Sequence, residues 1–179
     1  AVLGTNVIAG VSAVLRVQLP DGSATGGDRM FGLMMFASGC GAVLAVVALV
    51  VVHRVIRHPG VAFAGAGLSA AAVAATGSQI VAIAASTAFG AAIVSSEIIV
   101  SRTLARTLPG PSVAPAFGLL DSAMVVAMLA GTAVAPAVQA ALGVRLALAA
   151  SGVAAVVAAT VAIATTSATA SRLPERIHP

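Results

Sequence analysis

Glu97 is the only acid of this sequence that lies well inside a predicted apolar span. A carboxylate at the centre of a membrane helix costs about 2.5–3.5 kcal/mol on insertion scales, so one kept there points by default to proton relay or solute contact. Stepping by about 100° per residue, Gln79, Ser86, Gly90 and Glu97 fall on one helix face. That polar stripe, with small residues between, could line a water-filled cavity. Thr87 beside it, and Asn6 and Ser12 in the first apolar run, complete the set of candidate pore contacts. The competing reading treats Gln79 and Glu97 as helix-end groups, with Glu97 about one turn from the end and paired to Arg102 or Arg106.

Other chemistry-bearing residues carry weaker expectations. Asp121 shares a helix face with Met124, Met128, Thr132 and Gln139 and is predicted in a first turn. There the helix dipole favours a negative charge by roughly 0.3–1 kcal/mol, so the dipole or a loop arginine is its expected partner. Gly131 and Pro136 on the same run predict close packing and a kink. His53 and His58 stand five apart in a loop with no third ligand, which argues against a metal site and for contact with anionic lipid headgroups. Cys40, between Gly39 and Gly41, is expected to fill a helix contact, and a lone cysteine excludes an internal disulfide. No Ser/His/Asp pattern, Gly-rich phosphate loop or histidine cluster on a helix face is present, so neither an enzyme nor a cofactor is expected.

The elements that must position these residues follow from composition. The chain has 179 residues, 60% of them hydrophobic and 8% charged. Soluble domains carry about 25% charged residues, so this chain lacks the means to cover a water-facing surface. Apolar runs of about 20 residues each reach across about 30 Å of hydrocarbon. No ten-residue segments of alternating polarity suggest a β-barrel, and the alanines and glycines suit close helix packing in lipid. The fold class is therefore an all-α integral membrane protein. The net charge of +4 rests on arginines alone, placed at helix ends, and with 3% aromatics there is no stacking platform for nucleic acid. The chain opens within an apolar run without a basic n-region or cleavage motif, and reads as a piece of a longer protein.

Six spans are predicted, at about 1–19, 30–52, 61–76, 79–101, 116–140 and 144–164, forming one transmembrane domain over 1–170 with a polar tail at 171–179. Arg16 is expected to snorkel from the last turn of the first span. Gly77-Ser78 is the only punctuation between the third and fourth spans, and one long kinked helix over 61–101 is the alternative. Loops are predicted at 20–29, 53–60 and 102–115. Arg54, Arg57, Arg102, Arg106, Arg172 and Arg176 fall on one side, and Arg16, Arg29 and Arg145 on the other. The arginine-rich side, with loops 53–60 and 102–115 and the tail, is then cytoplasmic, in a plasma (inner) membrane. Phe31-Gly32-Leu33-Met34 and Phe117-Gly118-Leu119-Leu120 each open a span after a Pro/Gly-rich loop, which suggests two three-helix repeats of inverted topology.

Three features together resemble the C-terminal six-helix half of a major facilitator superfamily (MFS) transporter. SGCGAVLAVVALVVVHRVIRHPGVAFAG is similar to that family's second-helix glycines followed by a short loop of the type D-R-x-G-R-R. Arg54 and Arg57 keep two of its arginines, while His53, Ile56 and His58 stand where the family has Asp, Gly and Arg. SSEIIVSRTLARTLPGPSVAPAFGLLDS resembles the basic loop that leads into a helix beginning F-G-L, and the spacing of the last two helices with their charged tail also fits. The resemblance implies that Arg54 and Arg57, with Asp121, belong to a gating latch altered by the missing acid. It also implies that a small organic solute passes between this half and an N-terminal half outside this sequence, along the first and fourth helices. Glu97 is then the best candidate for a protonation site in proton-coupled efflux. A non-transporting membrane anchor or sensor, dimerising through its small-residue faces, is the alternative.

Overall fold

The structure, a computed structural model, describes residues 2–18, 27–51 and 59–170, and every element among them is an α-helix. In chain order these are α1 (Val2–Val17), α2 (Asp28–Val51), α3 (Pro59–Ala75), α4 (Gln79–Thr107), α5 (Gly110–Leu142) and α6 (Val144–Ala170). The third and fourth helices are separate. Thr76, Gly77 and Ser78 break the run, and the Ser78 amide donates to the Thr76 hydroxyl at 3.0 Å. Between α5 and α6 a single residue suffices, because Gly143 takes a φ of +76°, open to glycine, while its N–H donates to the Gln139 carbonyl at 2.7 Å.

The chain departs from its sequence pattern over 102–115. A loop is expected there, but α4 continues through Thr107 and α5 starts at Gly110, leaving only Leu108 and Pro109 outside helices. Arginine, leucine and alanine sustain a helix, and Pro111 sits in the first turn of α5, where a missing N–H costs nothing. Asp121 consequently lies three turns into α5 rather than in its first turn, beyond the reach of the helix-end dipole. Lengths differ too. Four helices are long and apolar enough to cross a membrane, over Asp28–Ala48, Gln79–Thr107, Gly110–Leu142 and Val144–Val161. The first, with 16 residues, is shorter than its predicted span; the third, with 17, matches its predicted length, and both are shorter than the four.

Packing pairs the helices as α1 with α5, α2 with α4, and α3 with both α6 and α4. A glycine from each partner meets at three of these crossings. A Cβ on Gly10 would strike the Met128 carbonyl, and one on Gly131 the Val7 carbonyl. Gly41 and Gly90 stand in the same relation to Thr87 and Ser38, and Gly67 and Gly152 to each other. Backbones approach this closely only where side chains are absent. One core cluster gathers Leu15, Met30, Val73, Ala82, Ala135 and Leu148, so the end of α1, the start of α2 and their counterparts in later helices share one end of the bundle. Successive helices therefore alternate in direction.

The outward surface is apolar. Phe36 is 73% exposed and Leu119 74%, and in α5 only Gly131 and Ala135 are buried. Monomeric soluble proteins rarely present apolar patches beyond a few hundred Å². These helices are compatible with a membrane location.

Candidate functional site

Of the predicted candidates, the structure brings Asn6, Glu97 and Asp121 together, on α1, α4 and α5. The Asn6 side-chain amide comes close enough to the half-buried Glu97 carboxylate to act on it, as does the charge of Asp121. Asn6 is itself buried, and its Nδ2 also donates to the Val2 carbonyl at 3.0 Å, which fixes the amide against its own helix. Arg102 and Arg106 do not take the pairing the competing reading gave them: both are exposed, and no arginine among the described residues acts on Glu97. The carboxylate thus rests on a neutral donor, and adding a proton to it breaks no ion pair there. A carboxylate so placed can take up and release protons, which a salt-bridged one does only by losing its partner.

The polar stripe of α4 is divided among neighbours. Gln79 is exposed at the start of the helix, on a cleft of about 370 Å³ with Arg29, Met30 and Leu33. Ser86 is fully buried and faces α1. Thr87 donates to the Ile83 carbonyl at 3.0 Å, while its own carbonyl abuts Gly41 of α2. Gly90 abuts Ser38. Only Glu97, among the four stripe residues, meets a polar group from α1 and an acid from α5 together.

Arg16 contradicts its expectation. It does not snorkel; it is 1% exposed, with its guanidinium 4.7 Å from the Phe89 ring centroid and Nη1 donating to the Ser86 hydroxyl at 3.4 Å. The helix explains this: Thr5, Ser12 and Arg16 lie at i, i+7 and i+11, one face, and all three are buried against the bundle. That spacing is visible in the sequence and was the signal for a residue that charge position alone assigned to the interface. Cys40 also differs, being exposed on the outer face of α2 while its neighbour Gly41 makes the helix contact.

An apolar cleft of about 290 Å³ lies among α1, α3 and α6, lined by Gly4, Val7, Val11, Phe63 and Ala155 among others, and includes neither Glu97 nor Arg16. No group of His, Cys, Asp or Glu able to hold a metal ion occurs among the described residues. Arg54, Arg57, His53 and His58, and the polar tail, fall outside the described residues. Comparison of the chain with protein-family models, curated proteins and solved structures finds no match.

Proposed function

We propose that the chain is the C-terminal six-helix half of an MFS-type secondary transporter, embedded in the plasma (inner) membrane and moving a small organic solute by proton-coupled efflux. The observation that carries this reading is Glu97, a half-buried carboxylate in an apolar bundle, beside Asn6 and near Asp121, where three helices meet. Intramembrane acids of this kind serve proton relays. The helix pairing supports the repeat: exchanging α1, α2 and α3 for α4, α5 and α6 turns the α1–α5 pair into α4–α2 and leaves the α3–α6 pair unchanged. Two inverted three-helix units packed about an axis have that symmetry.

In this reading Arg102 and Arg106, exposed at the far end of α4, face the cytoplasm, as do loop 53–60 and the tail, while Arg29 and Arg145 face outward. Gating by Arg54 and Arg57 is part of the proposal, with Asp121 assigned to the proton site instead. The lipid bilayer, the N-terminal half and the solute are the partners. The anchor reading is disfavoured by the small residues it relies on: Gly10, Gly41, Gly67, Gly90, Gly131 and Gly152 are taken up by crossings within the chain.

The test is Glu97→Gln in the full-length protein, reconstituted in vesicles carrying a pH gradient. Loss of gradient-driven solute flux, with expression unchanged, is expected; undiminished flux would remove Glu97 from the mechanism.

A further inference from the structure

A second polar cluster on the same α1–α4 seam has no part in the carboxylate junction. It lies about 15 Å along the helices from Asn6 and Glu97, by the helical rise of about 1.5 Å per residue. Arg16 is at its centre. Its Nε and Nη2 are both buried without a hydrogen-bond partner, and so is the Ser12 hydroxyl one turn back on the same face. No acid among the described residues acts on the guanidinium. The unmet capacity is mostly that of donors: Nε–H and Nη2–H only donate, and the Ser12 hydroxyl can donate as well as accept. A buried cation left with open donors is far costlier than an ordinary unpaired polar group.

The geometry narrows what completes it. Phe89 occupies one face of the guanidinium, and Nη1 is directed to Ser86. What remains unpaired is the edge carrying Nε and Nη2, whose N–H bonds run side by side, the fork that takes a carboxylate through two parallel hydrogen bonds. A halide, sitting between the same two donors, makes the same demand. We propose that Ser12, Arg16 and Ser86 form an internal site for a small monovalent anion, a carboxylate or a halide, clasped between α1 and α4. Binding at equilibrium needs no transport step, so this site stands or falls separately from the role of Glu97.

The experiment is thermal unfolding of the purified full-length protein in detergent, followed by helical circular dichroism, with sodium acetate or sodium chloride titrated against sodium HEPES at matched ionic strength. A saturable rise in Tm of several degrees with acetate, chloride or both is expected in the wild type. Acetate alone assigns the site to carboxylates, and chloride alone to halides. Arg16→Gln should abolish the rise, and Arg16→Lys, which keeps the charge and loses the fork, should weaken apparent affinity about tenfold. Should Arg16→Gln fail to fold, Ser12→Ala/Ser86→Ala retains the cation and should also lower affinity. A wild-type Tm indifferent to both anions, or a rise that persists unchanged in the variants, overturns the proposal.

Discussion

The Asn6–Glu97 contact joins two helices through one amide and one carboxylate, and its value is measurable apart from any transport. Hydrogen bonds between membrane helices contribute about 0.6 kcal/mol on average and up to about 1.7. An ionised acceptor puts such a bond toward the upper end. A double-mutant cycle of Asn6→Ala and Glu97→Ala, read by thermal unfolding in detergent, should show a coupling of about 0.5–2 kcal/mol. Additivity within about 0.3 kcal/mol would mean the two side chains do not meet. A second residue-scale prediction concerns Asp121, exposed on α5 and close enough to Glu97 for its charge to be felt. Asp121→Asn should alter gradient-driven flux less than Glu97→Gln does, because it removes a neighbouring charge and leaves the titrating group. Equal loss in both variants would make the two acids a single unit.

At the scale of elements, the bundle stands on three crossings in which backbone meets backbone. Gly90→Ala places a methyl against the Ser38 carbonyl, where neither partner is a side chain able to swing away. Overpacking of that kind costs about 1–3 kcal/mol, and the loss should appear as a lowered Tm. Gly39→Ala is the control: nothing stands within 4 Å of its added Cβ, and alanine is the better helix former. If the two variants unfold alike, α2 and α4 do not cross as described. These crossings also mark the limits of the sequence as a guide. Apolar runs and the Gly77-Ser78 break place the helices, because length and punctuation are local properties. Helix ends are less legible, since Pro109, Pro111 and Pro115 read as a loop although Pro109 only caps α5, Pro111 sits in its first turn and Pro115 is carried inside it. Which faces meet is hardly legible at all. Gly41 packs and Cys40 beside it does not, and the Asn6–Glu97 pair joins opposite halves of the chain, so neither follows from a local pattern. Arg16 differs: its position near a helix end says interface, but the i, i+7, i+11 face it shares with Thr5 and Ser12 is a sequence signal for the burial the bundle shows.

The whole molecule has an apolar outer surface and a polar junction at Glu97, which the proposed function assigns to lipid and to a water path. Outer positions of α2 and α5 carry Phe36, Val43, Leu119 and Val126, all exposed and apolar, and Cys40 lies among those of α2. The junction at Glu97 is polar and half-buried, with Asp121 exposed beside it. A bundle in water would leave Cys40 open to any aqueous reagent; a bundle in lipid shields it, while a transport path admits water to Glu97. The decisive measurement is the reaction rate of single cysteines with a charged, water-soluble methanethiosulfonate in opened native membranes. Wild type reports on Cys40, and Cys40→Ala/Glu97→Cys reports on the junction. The proposed function predicts that position 97 reacts in membranes while Cys40 reacts only after detergent is added. Cys40 reacting in membranes as fast as in detergent would contradict the lipid-facing surface, and an inert position 97 would contradict the water path.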